Sequence, residues 1–225
     1  MKKNEVMQRL KSASNPESLA GMKRFGINVE KAYGVSIPNL RKLAQEIGKD
    51  HELAQELWET QVHEARILAA LIDDVNQVGS RQMDKWACDL DSWDLCDQCC
   101  SSLFDKTQFA YQKAFVWSHE KEEFVKRAGF ALMAALAVHD KETGDEPFRK
   151  FLECTVRESS DERNFVRKAV NWALRQIGKR NRRLNRLAIM KARKIQNQDS
   201  KSAKWIASDA LRELSSPSVV KRLRD

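Results

Sequence analysis

Apolar residues recur three and four positions apart through nearly the whole chain, and nowhere do apolar and polar residues alternate long enough to suggest a strand. Val6, Leu10 and Ala13 form a short first stripe. NPESLAGMKRFG predicts a second helix, with Asn15 as N-cap and Pro16 in the first helical position. After the turn INVEKAYGV, SIPNLRKLAQEIG repeats the device with a serine cap, an early proline and a glycine stop. HELAQELWET and VHEARILAALIDD predict two antiparallel helices with a very short link. Further helices are expected in RQMDKWACDL, WDLCDQCCSSLF, TQFAYQKAFVWS, EEFVKRAGFALMAALAV, EPFRKFLECTVRE, ERNFVRKAVNWALRQIG, RRLNRLAIMKARKIQ and KSAKWIASDALREL. The longest apolar run, Ala128 to Val138, is far short of a membrane span and reads as a buried helix.

About a dozen helices joined by short turns predict an all-α stack of antiparallel helix pairs. No linker divides the chain, so one domain over residues 1–225 is expected. The register is too irregular to yield a consensus repeat, which makes HEAT-like a statement about architecture alone. Such stacks curve into a superhelix whose concave side suits a long partner. The eight glycines and four prolines in 225 residues agree with long helices.

Charge changes the picture. The net +8 is concentrated in residues 161–225, which hold 18 Lys/Arg against 6 Asp/Glu, a net of +12. Residues 1–160 hold 22 against 26, a net of −4. A basic C-terminal third suggests a polyanion, with nucleic acid the first candidate, although a solvated basic face gives the same count. The charged start MKKNEVMQRLKSAS has no apolar core of a signal peptide, and five cysteines are an odd number. Both point to reduced thiols in the cytoplasm.

DSWDLCDQCC, Asp91 to Cys100, holds three of those cysteines. At 100° per residue, Leu95, Cys96, Cys99, Cys100 and Leu103 share one apolar arc, so the thiols read as core. Zinc needs about four ligands, and no second Cys or His pair stands at ligand spacing, so no metal is expected. Trp93 and Asp97 lie on the edge of that arc one turn apart, where this helix alone favours a core tryptophan and a polar-face or capping aspartate over chemistry. Asp89, Asp91, Asp94 and Asp105 crowd the same stretch.

In ERNFVRKAVNWALRQIGKR the apolar arc is Phe165, Val166, Ala169, Val170, Ala173, Leu174 and Ile177. Trp172 projects from the opposite side with Lys168, Arg175 and Lys179. That face suits cations holding phosphates and an indole offered to a base or sugar; packing against another helix layer is the other reading. The following GKRNRRLNRLAIMKARK extends the basic surface. Arg127 flanks the apolar side of its helix, where it can reach a phosphate or pair with an aspartate.

These residues together resemble the bacterial DNA alkylation repair glycosylases of the AlkD type, which are all-helical proteins of HEAT-like repeats. The resemblance covers most of the length through YGVSIPNLRKLA, LWETQVHEARILAA, SWDLCDQ, FVKRAGFAL and FVRKAVNWALRQIGK. SWDLCDQ carries the family's W-x-x-x-D spacing at Trp93 and Asp97, and Arg127 and Trp172 complete its active-site set. Phe25 stands where the better-known members have a tyrosine.

The resemblance implies hydrolysis of the N-glycosidic bond of cationic alkylpurines, such as 3-methyladenine and 7-methylguanine, in double-stranded DNA. It implies no metal, no cofactor and no lyase step. Asp97 would stabilise the sugar cation and orient water. Trp93 and Trp172 would contact the lesion nucleotide, lining one concave cleft with Asp97 and Arg127. Arg127 would hold a phosphate, with Arg175, Lys168 and Lys179 along the basic helical face. The implied protein is a monomer, cytoplasmic and associated with the nucleoid through DNA. A non-catalytic HEAT-like binder of DNA of altered geometry is the alternative, and a scaffold whose basic third meets an acidic protein is a third reading.

Overall fold

In a computed structural model of the protein, which describes residues 1–224, secondary structure is helical throughout. The helices are α1 (Lys3–Ser12), α2 (Pro16–Arg24), α3 (Ile37–Ile47), α4 (His51–Trp58), α5 (His63–Ile72), α6 (Ser80–Cys88) and α7 (Trp93–Ser102). A 3-10 turn (Phe104–Lys106) precedes α8 (Ala110–Trp117), α9 (Glu123–His139), α10 (Asp145–Glu158), α11 (Asn164–Gly178), α12 (Arg182–Gln196), α13 (Lys201–Leu214) and α14 (Pro217–Val220). Their contacts gather into two compact units, Met1–Thr107 and the chain from Gln108 onward.

The boundaries follow local chemistry. Asn15 accepts the N–H groups of Glu17 and Ser18 at 3.1 and 3.3 Å, with Pro16 in the first turn of α2. Asp50, Asn181 and Ser200 cap α4, α12 and α13 in the same way. Ser36 occupies the expected N-cap of α3, but its hydroxyl makes no capping bond. Ala13, expected in the first apolar stripe, lies beyond the end of α1 and is exposed; Val6 and Leu10 alone carry that stripe inward.

In the first unit α3, α5 and α7 pack side by side, while α4 packs on α5. Trp58 of α4 stacks on Trp86 of α6, with ring centroids 3.9 Å apart and planes 1° from parallel. The Trp58 indole N–H donates to Asp89 at 2.8 Å, and the Arg66 guanidinium sits 5.1 Å from the Trp58 ring. Two stretches that read as structural landmarks meet here. Glu64, 1% exposed, accepts the backbone N–H groups of Tyr33, Gly34 and Val35, so the glutamate of VHEAR anchors the YGV turn.

The second unit has two rows, with α8, α10 and α12 in one and α9, α11 and α13 in the other. Each helix pairs with its successor across the rows, giving α8/α9, α10/α11 and α12/α13. α9 is the most enclosed: every residue from Ala128 to Ala137 is buried, as its apolar run requires, and Val138 emerges at the surface. Its contact with α8 depends on Gly129, where an added Cβ would lie 2.5 Å from the Ser118 nitrogen. Backbone atoms occupy that space, so no rotamer change relieves the clash.

Gly129→Ala therefore destabilises the protein by about 1–3 kcal/mol in urea denaturation. Gly21→Ala, in a helical position with nothing within 4 Å of the new methyl group, leaves stability unchanged or raises it by up to about 1 kcal/mol.

Candidate nucleic-acid interface

α7 begins at Trp93, so Trp93 and Asp97 stand one turn apart on one side of it, both half-buried. The opposite arc is core: Leu95, Cys96, Cys99 and Cys100 are fully buried. Burial pushes the Cys99 and Cys100 thiols well above their ordinary range, so they stay protonated hydrophobes. The Trp93 indole N–H donates to the Phe25 carbonyl at 3.0 Å, and Asn28 donates to Asp91 at 2.9 Å. Two bonds thus fasten the segment after α2 to the start of α7. The Phe25 ring itself is 68% exposed.

The crowd of aspartates around Asp97 resolves into separate duties. Asp89 holds the Trp58 indole, Asp91 holds Asn28, and Asp94 pairs with the buried His63 at 2.9 Å. Three of the crowded carboxylates are thus engaged by groups of the protein. Burial works against charge on both His63 and Asp94, but their mutual bond prevails. It raises the His63 pKa above its ordinary value and lowers that of Asp94.

The other candidates lie in the second unit. Arg127 on α9 is 5% exposed and donates from Nη1 to the Phe165 carbonyl of α11 at 2.8 Å. It is thus more deeply set than a flanking surface arginine, and part of its fork serves the α9–α11 contact. On α11, Trp172 is half-buried and Lys168 is exposed. Arg175 and Lys179 both reach across to Glu213 of α13, at 2.5 and 2.7 Å, and Arg175 also lies 3.4 Å from Asp209. Burial disfavours the Glu213 charge, yet Lys179 and Arg175 keep its carboxyl below the usual range. A phosphate approaching this stripe competes with two carboxylates that the sequence reading did not place there.

Beyond Lys179, a cavity of about 280 Å³ is lined by Lys141, Lys179, Arg180 and Arg222 with Gln176 and apolar side chains. It prolongs the cationic character of the α11 stripe. The basic run after α11 lies instead on α12, in the row of α8 and α10, so it does not continue the Trp172 row.

Comparison with known proteins agrees with this architecture. The model of a family described as "DNA alkylation repair enzyme" matches residues 6–214. Among curated proteins no sequence matches. One similar solved structure is described as "A new family of proteins related to the HEAT-like repeat DNA glycosylases with affinity for branched DNA structures". It is 18% identical, with a TM-score of 0.79 over 95% of this chain and 96% of that one. The fold is therefore the HEAT-like helical one that the periodicity and the resemblance predicted.

The His63–Asp94 pair makes stability depend on pH in a defined direction. His63, raised above 6.5, contributes fully below that value and loses its contribution as pH rises through its folded pKa. Asp94, lowered below 3.8, contributes above that value and loses it as pH falls through its folded pKa. Thermal melts of the wild type therefore fall as pH rises above 6.5 through the folded pKa of His63, and Asp94→Asn flattens that part of the profile.

Proposed function

As the chain belongs to the DNA alkylation repair enzyme family, we propose that it excises cationic alkylpurines from double-stranded DNA. The observation that carries this reading is the placement of Asp97. It is a half-exposed carboxylate on α7, one turn from a half-exposed tryptophan on the same side of the helix. A carboxylate in that position is within reach of a ligand that lies along the Trp93 side of α7.

The chemistry needs little more. Ordinary glycosidases pair two carboxyl groups because the leaving oxygen must be protonated. A purine alkylated at N3 or N7 already carries positive charge and departs as a neutral base, so no general acid is required. Asp97 stabilises the positive charge that grows on the deoxyribose and orients the water that attacks its C1′. Trp93, its N–H committed to the Phe25 carbonyl, contributes ring surface rather than a hydrogen bond. In the second unit the Trp172 ring and the exposed Lys168 hold the duplex, with Arg127 on a phosphate. Arg175 and Lys179 join them to the extent that phosphate displaces Glu213.

A second reading has its own support. The similar solved structure is described by affinity for branched DNA and by its relation to glycosylases. Affinity for branched DNA thus occurs on this fold, and a chain that only bound DNA of altered geometry would keep Trp93 and Asp97 as surface groups.

The decisive experiment incubates methylated duplex DNA with the wild type and with Asp97→Asn and measures released purines. The wild type releases them, and the variant loses about 10²–10³-fold in rate while duplex affinity persists. Tight, salt-sensitive binding with no release by the wild type selects the second reading. In the same preparations Lys168→Glu weakens duplex binding and lowers the salt slope by about 1.

A further inference from the structure

The exposed side of α13 carries a tryptophan that the proposed chemistry does not use. Trp205 is 41% exposed, more than any of the other five tryptophans. Lys201, four residues before it, and Arg212, seven after, lie within about 40° of it around the helix. Lys204 adjoins them, and all three cations are exposed. From α11, the Arg167 guanidinium stands 5.3 Å from the Trp205 ring centroid and donates to the Asn164 side chain at 3.3 Å. Lys168, on the Trp172 stripe, follows Arg167 directly.

The nearby carboxylates are accounted for. Glu162 accepts from the Ser200 hydroxyl and the Ser202 N–H at the start of α13. Asp209 accepts from Asn171 and pairs with Arg212, and the fully exposed Asp199 pairs with Lys204. Lys201, Lys204 and Arg212 on α13, with Arg167 and the adjacent Lys168 on α11, are five cations against three carboxylates. The excess is positive, and it centres on an aromatic ring.

We propose that Trp205, backed by Arg167, is a stacking platform for an unpaired base of a DNA strand whose phosphates follow Lys201, Lys204 and Arg212. The inference rests on the DNA-binding reading above and specifies what the α13 surface adds to it. A guanidinium against an indole leaves the rest of the ring surface for a third flat group, and every nucleobase offers one. Bases inside an intact duplex are stacked on each other and cannot present a face, so the platform selects strands with unpaired positions. A lysine-rich surface around an aromatic ring is the combination that sequence-tolerant single-strand binders use. An apolar protein partner would gain nothing from these cations.

The test uses the full chain and two fluorescent DNAs of equal length, one fully paired and blunt, the other bearing an unpaired arm, with polarisation at low salt. The wild type prefers the DNA with the unpaired arm. Trp205→Ala lowers affinity for that DNA by about tenfold and leaves blunt-duplex affinity within about twofold, and Trp205→Phe restores most of the loss. Equal affinities of the wild type for the two DNAs, or a Trp205→Ala variant that loses both alike or neither, overturn the platform and leave the duplex reading standing. Failure of the wild type to bind either DNA overturns both. Concentration-dependent self-association abolished by Trp205→Ala assigns the surface to a second copy of the chain and overturns the proposal.

Discussion

Packing helices in rows buries helix C-terminal ends, whose last carbonyl groups have few intrahelical partners. Arginine supplies the missing donors. Arg180 reaches the carbonyls of Leu136, Ala137, Asp140 and Thr143 around the end of α9, with its guanidinium 3.9 Å from the Phe148 ring. Arg66 ties the Trp58 carbonyl at the end of α4 to that of Asp89 after α6. Arginines also serve carbonyls near helix starts: Arg163 holds that of Lys121 before α9, and Arg127 holds that of Phe165 in the first turn of α11. A planar fork with five donors can serve several such groups at once, which an ammonium ion on a flexible stem does less well. The positive charge of the chain therefore has two employments, and only the part left outside is available to a polyanion.

That division explains what the sequence could reveal of the site. The Trp93–Asp97 spacing and the Trp172 stripe follow from helical periodicity alone. The occupation of Arg175 and Lys179 by Glu213 does not, because the partner stands 38 and 34 residues further on, on a helix whose register must be known first. The same distance effect hid the duties of the aspartates: His63 is 31 residues from Asp94, and Asn28 is 63 residues from Asp91. Trp205 was overlooked although a signal existed. Lys201, Trp205 and Arg212 repeat the offsets of Lys168, Trp172 and Lys179.

The fold was legible for a different reason. Amphipathic spacing, asparagine and serine caps and early prolines are local, and each states its helix without reference to the rest. The repeat resisted detection because its length changes. Partners on successive helices of the first unit stand about 31 residues apart, as with Trp58 and Asp89 or Tyr33 and Glu64. In the second unit they stand 38 or 39 apart, as with Asn171 and Asp209 or Ser159 and Gln198. A fixed period finds one set and misses the other.

The fastening of Trp93 has a kinetic side. Its bond to Phe25 spans 68 residues and the neighbouring Asn28–Asp91 bond 63, whereas the His63–Asp94 pair closes a loop of half that length. Contacts between successive helices form from short loops, and long closures form late because they need both ends already in place. Trp93 thus reaches its final setting near the end of assembly of its unit. In the folded molecule the same two bonds are exposed, where local opening costs least. The indole beside Asp97 can be released by local opening of residues 25–28 without any loss of the helical core beneath it.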